Sequence, residues 1–188
     1  MFRTPERSIP LAGDELLARA DASATRGITI RASAADVWPW IAQLGQGRGG
    51  FYSYDFLENL VGCHMRSADS IVPQWQDIEA GSEVRLHPKV ALLVAAVEPP
   101  RALVLRGGVP MGPVTAPYDF TWSFIVTSPP SGGARLIVRE RYSYRRRWAP
   151  LIVRPTILVS YFMSRRMMHG IKARAERTTT EPSPTLHA

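Results

Sequence analysis

The stretch YDFTWSFIVT, residues 118–127, alternates without a break: Tyr118, Phe120, Trp122, Phe124 and Val126 fall on one side, Asp119, Thr121, Ser123 and Thr127 on the other. Successive side chains of a strand point to opposite faces, so this is a β-strand with one face buried against something that accommodates large rings. PPSGGA then turns the chain, and RLIVRERYSYR, residues 135–145, returns with Leu136, Val138, Glu140, Tyr142 and Tyr144 on one side. LLVAAVEPP and RALVLRG, residues 92–107, read as a second hairpin, and a shorter strand lies around Val84 to Leu86. Strands that succeed one another as hairpins, with no crossover helices between them, exclude a doubly wound parallel sheet.

Helices bracket these strands. RGITIR, residues 26–31, is a first strand, and SAADVWPWIAQL, residues 33–44, reads as a helix with Ser33 as N-cap, Asp36 as capping-box acid, and Val37, Ile41 and Leu44 on one face. The following GQGRGG has the G-x-G-x-x-G spacing of dinucleotide sites. It follows a helix instead of a strand, with Gly45 where a helix C-cap glycine falls, so the nucleotide geometry is excluded and the glycines are a tight connection. FYSYDFLENLVG then reads as an aromatic loop and a second short helix, with Asp55 as its cap. From about Ile157, the positions Ile157, Tyr161, Ser164, Met168, Ile171 and Ala175 recur at steps of four and three, which predicts a long amphipathic helix. The consistent class is α+β, an antiparallel sheet curled around the C-terminal helix. The chain has 188 residues, enough for one core. The expected organisation is an arm over 1–24, one domain over 25–177 and a disordered tail over 178–188.

The net charge of +7 is uneven: residues 135–177 hold 12 arginines or lysines against 2 acids, Glu140 and Glu176. An arginine-rich solvated face accounts for this, and with no recognition motif present nucleic acid is not expected as a partner. Residues 151–163 are apolar apart from Arg154 and Pro155, well short of the ~20 residues needed to span a bilayer. That segment reads first as a helix buried in its own sheet and, alternatively, as a transient contact with an anionic membrane. His64, His87, His169 and His187 are scattered, so no metal is expected, and nothing in the sequence calls for a cofactor. Cys63, the single cysteine, gives no disulfide and reads as a partly buried structural thiol. MFRTPERSIP lacks the apolar run of about 7–15 residues of a secretory signal, and a cytoplasmic location is expected.

The succession ITIRASAADVWPWIAQLGQGRGGFYSYDFLENLVG, SADSIVPQWQDIEAGSEVRL, LIVRERYSY and YFMSRRMMHGIKARAER resembles the START/Bet v 1-like (SRPBCC) superfamily, within it the bacterial polyketide cyclase/dehydrase and lipid transport-like group. The resemblance covers roughly 25–177. It implies a helix-grip fold: a curved antiparallel sheet around a long C-terminal helix, two short helices after the first strand, and an apolar cavity between. It implies binding of a lipid, polyketide or similar hydrophobic molecule, or a cyclase/dehydratase-type reaction on a polyketide-like substrate, and supplies no shared catalytic set.

Alternation then nominates the cavity residues: Trp122 and Phe124 on one strand, Val138, Glu140 and Tyr142 on its hairpin partner, and Tyr161, Ser164 and Met168 on the helix. Tyr52 and Tyr54 belong to the loop at the expected mouth, where Arg48 has solvent as its default partner. Each ring or thioether has ordinary core packing as its alternative. Glu140 is the sharpest candidate, since a carboxylate on an apolar face needs partners. It could orient a ligand or act as an acid/base, or be a structural ion pair, for which Arg106 is the nominated arginine.

Overall fold

The alternation fixes which face of each strand is apolar, and strand pairing turns those faces the same way. The computed structural model describes residues 8–54, 66–108 and 116–180 together with Glu6, Asn59, Gly62 and His64. Its strands are β1 (Ala22–Ile30), β2 (Glu83–His87), β3 (Val90–Glu98), β4 (Ala102–Gly107), β5 (Tyr118–Thr127) and β6 (Ala134–Tyr144). They form one antiparallel sheet in the order β1-β6-β5-β4-β3-β2. β1 thus closes against the last strand, with Ala24 opposite Glu140 and Arg26 opposite Val138. It starts before the expected Arg26, because the residues ahead of RGITIR, though small and polar, complete the ladder with β6.

Two helices frame the inner face. α1 (Ala34–Ala42) carries the expected capping box: Ser33 Oγ accepts from the Asp36 amide at 3.2 Å, and Asp36 accepts from the Ser33 amide at 3.1 Å. Besides Val37 and Ile41 it buries Trp38, Trp40 and Ala42, since it packs against the C-terminal helix, β5 and β6 at once. That helix, α2 (Pro150–Thr180), begins seven residues before the expected Ile157. Pro150 stands at its first position, where a missing amide N–H forfeits little, whereas Pro155 lies just past the first turn and gives up the bond its N–H would make to the Leu151 carbonyl. The second short helix expected after the aromatic loop lies outside the described residues, as do Asp55, Cys63 and residues 181–188 of the expected tail, whereas 178–180, also expected in the tail, continue α2.

GQGRGG closes on itself. Gly45 and Gly50 exchange both backbone bonds at 3.1 and 3.0 Å, the Gly49 amide donates to the Gln43 carbonyl at 2.8 Å, and the Gln46 amide donates to the Arg85 carbonyl at 2.7 Å. Both bridging glycines have positive φ, and a Cβ on Gly50 would sit 2.8 Å from the Arg66 carbonyl oxygen. With its amides used internally, the loop has no cradle for a pyrophosphate. Nor does Arg48 face solvent by default: its guanidinium donates to the Ala42 carbonyl at 3.0 Å and to that of Trp75.

The outer face is covered as well. Ile125, Ile137 and Ala102 pack beneath Leu11 and Ala12 of the N-terminal arm, a small second core. Arg139, only 3% exposed, anchors that arm: it reaches Asp14 at 2.5 Å, the Ile9 carbonyl at 3.0 Å and the Glu6 carbonyl, while Arg135 reaches the Glu6 carboxylate at 2.8 Å. Arg139→Ala should therefore cost about 2 kcal/mol by leaving the Ile9 and Glu6 carbonyls without their donor and Asp14 with Arg141 alone, measured by urea denaturation. The arm should also become cleavable in limited proteolysis; unchanged resistance to protease would count against this anchoring.

Candidate functional site

On the inner face of β6, Glu140 is 1% exposed and receives four donors. Arg26 of β1 donates at 2.8 Å, the Tyr142 hydroxyl at 3.1 Å, Ser164 of α2 at 3.1 Å, and Ser160 of α2 also donates. Alternation put the carboxylate inside correctly, but its arginine is Arg26, because β1 is the neighbour of β6. Arg106 is exposed at the far end of β4. Arg26, Ser160 and Ser164 converge on Oε1, and Tyr142 donates to Oε2. The guanidinium of Arg26 is held in turn by the Ile157 carbonyl at 3.4 Å and lies 5.6 Å from the Tyr161 ring centre.

Beside this cluster the sheet and α2 separate and leave space. A cavity of about 240 Å³ is lined by Phe51, Leu86, Trp122, Val159, Met163 and Met167, with Ser53, Thr156, Ser160 and Ser164 supplying hydroxyls. A second space of about 140 Å³ shares Leu86, Trp122, Thr156 and Ser160 with it and adds Phe120, Tyr142 and Glu140. Trp122 stands between the two, stacked on Phe51 at 5.7 Å and tilted against Phe124 at 4.8 Å. Its indole Nε1 is buried and finds no acceptor among the described residues. A buried indole N–H normally finds one, and here the N–H of Trp122, like that of Trp40, is shielded from the adjoining space while the rest of the Trp122 side chain lines it.

The nominated residues separate into three groups. Trp122, Glu140 and Tyr142 line these spaces, with Ser164. Phe124 and Tyr52 are core: Tyr52 accepts from Gln43 at 2.9 Å, lies under Arg174 at 4.7 Å and packs edge-on against Trp40 at 5.9 Å. Tyr161 and Tyr54 are 43% and 41% exposed; Tyr161 and the buried Met168 border a groove between β1 and α2 on the outside. The predicted stripe runs true from Ser164 to Ala175 but is turned outward at Tyr161, because Ser160 takes the inward place beside Glu140. Sequence reasoning missed Arg26, Ser160, Met163 and Met167. The signal available was two serines one turn apart, at 160 and 164, within an apolar helix opposite a carboxylate. No group of three metal-ligating side chains occurs among the described residues.

Burial pushes the hydroxyl pKa of both Tyr52 and Tyr142 above the ordinary tyrosine value, and for Tyr142 the adjacent Glu140 charge adds to it. The folded state then keeps protons that the unfolded chain loses near pH 10, so this stability is complete below about pH 10 and falls as pH rises beyond it. Tyr142→Phe should flatten that fall in melting curves recorded between about pH 9 and 11. Glu140→Gln should cost about 3 kcal/mol in urea denaturation by leaving Arg26 uncompensated, and adding Arg26→Met should recover part of it. A neutral Glu140→Gln would mean the pair is not formed.

No protein-family model and no curated protein matches the chain. Solved structures do. A protein from Mesorhizobium loti aligns over 84% of this chain and 98% of its own with a TM-score of 0.53 at 14% identity. One from Nitrosospira multiformis aligns over 85% of this chain and 100% of its own with a TM-score of 0.54 at 9% identity. Norcoclaurine synthase from Thalictrum flavum aligns over 86% of this chain and 87% of its own, with a TM-score of 0.47 at 11% identity. The architecture is the helix-grip fold implied by the resemblance to the START/Bet v 1-like superfamily.

Proposed function

We propose that the protein encloses a small apolar or amphipathic molecule between β5, β6 and α2, against Trp122. The observation that carries this reading is the apolar space lined by Phe51, Leu86, Trp122, Met163 and Met167 beside the Glu140 cluster. Thioethers adapt to irregular guests, and one or two polar groups in an apolar wall suffice to orient a ligand. Size narrows the class. At about 240 and 140 Å³ the two spaces together reach only the low end of the ~300–1,000 Å³ typical of small-molecule sites. A single acyl chain, or a molecule of one or two rings carrying a carbonyl or carboxyl oxygen, matches this better than a tetracyclic polyketide or a sterol. A cyclase-type reaction would need a free acid/base, and among the described residues Glu140 is already held by Arg26 and three hydroxyls, while Tyr142 donates its proton to Glu140.

Native mass spectrometry of the purified protein, followed by solvent extraction, tests this. A defined adduct that extracts as a fatty acid or small aromatic ketone is expected. Met163→Trp, which fills the cavity, should lose that adduct while keeping its melting temperature. Retention of the adduct in Met163→Trp would place the ligand elsewhere and overturn the reading.

A further inference from the structure

The first half of α2 does not bury its apolar residues as an ordinary core helix would. Leu151 is 78% exposed, Leu158 63%, Val159 59% and Phe162 57%, and Trp148 just before the helix is 45% exposed. At 100° per residue Leu151, Leu158 and Phe162 fall on the side opposite Ser160 and Ser164, which the Glu140 cluster holds inward, and Val159 lies on the flank between the two sides. The outcome is an uncovered apolar band. Arginines border it: Arg154 on one flank, Arg165 and Arg166 at its far end, Arg146 and Arg147 before the helix. Elsewhere in the basic segment the charges are spent internally, Arg135 on Glu6, Arg139 and Arg141 on Asp14, Arg145 on Asp119 and Arg174 on Asp69. No acid among the described residues pairs with Arg154, Arg165 or Arg166, and the sequence contains none between Glu140 and Glu176.

We propose that this face docks on an anionic membrane surface, with Leu151, Leu158 and Phe162 entering the acyl boundary and Arg154, Arg165 and Arg166 meeting lipid phosphates. An apolar stripe rimmed by arginine and aromatic side chains is the pattern of a helix that lies in the interface plane. Charge decides against a second copy as occupant, since two such faces brought together would oppose their unpaired arginines with no carboxylate between them. Val159 links the surface to the interior: it belongs to the exposed band and also lines the cavity of about 240 Å³. Docking therefore sets the cavity against the bilayer, from which an acyl chain could enter; this last step rests on the ligand-binding reading above, whereas docking itself does not.

Sedimentation with vesicles of phosphatidylcholine, alone or mixed with phosphatidylglycerol, tests the proposal. The protein should partition onto the mixed vesicles, weakly onto the neutral ones, and less as salt rises. Arg165→Glu with Arg166→Glu should weaken the partition by about tenfold or more. Leu158→Asp with Phe162→Asp should abolish it, and because all four residues project from the fold, unchanged melting temperatures should accompany both losses. Equal binding to neutral vesicles, no binding at all, or a dimer in light scattering that Phe162→Asp dissolves would each overturn it. The soluble probe anilinonaphthalene sulfonate, added without vesicles, separates the two readings. Its uptake by wild type and by Phe162→Asp, together with vesicle binding by wild type only, is the result expected if both hold. Vesicle binding without uptake defeats only the cavity, and uptake without vesicle binding defeats only the docking.

Discussion

The rest of the structure is organised around one buried carboxylate. Glu140 joins three elements that are remote in sequence: Arg26 from β1, its own strand β6, and Ser160 and Ser164 from α2. Such a pair is weak as a source of net stability, since desolvating both ions offsets most of their attraction. Its value here is geometric. An arginine and three hydroxyls converging on two oxygens leave few arrangements in which all are satisfied, and each arrangement fixes the helix in rotation and in height. With Ser160 and Ser164 turned inward, Phe162, two residues from each, must face out. The same contacts that fix the interior therefore define the exterior face.

The sheet follows a parallel logic on its other side. A strand such as β6 that alternates Val138, Glu140 and Tyr142 with Ile137, Arg139 and Arg141 would ordinarily show its second set to water. Here the N-terminal arm covers it, and Arg139 satisfies carbonyls of the arm as well as Asp14. Two arginine-linked seams, one per face, bound a sheet whose inner surface is then free to curve away from α2 and leave space around Trp122.

Much of this was legible from residue order. The alternation in 118–127 placed Phe120, Trp122 and Phe124 on the inner face, Ser33 and Asp36 announced the start of α1, and the position of Gly45 after a helix excluded a nucleotide site. Three things were not. The arginine opposite Glu140 depends on which strand neighbours β6, and β1 and β6 lie more than a hundred residues apart. Tyr161 was assigned inward because an apolar ring fits a helical stripe as well as a serine does, and a stripe counted from Ile171 back to Ile157 cannot see a carboxylate across the interface. Arg48, among glycines, looked solvated because backbone carbonyls as partners leave no trace in side-chain patterns.

Periodicity, capping residues and turn chemistry are local, and they determined the strands, the two helices and the sidedness of the sheet, because each depends on neighbours within about a turn or a hairpin. Tertiary structure alone decided which partner satisfies each buried charge, how far α2 is rotated, and therefore that an apolar space borders Trp122 while Leu158 and Phe162 stand in the open. Those outcomes turn on contacts between segments far apart in the chain, and an apolar residue carries the same pattern whether its partner is its own core, a guest or a membrane.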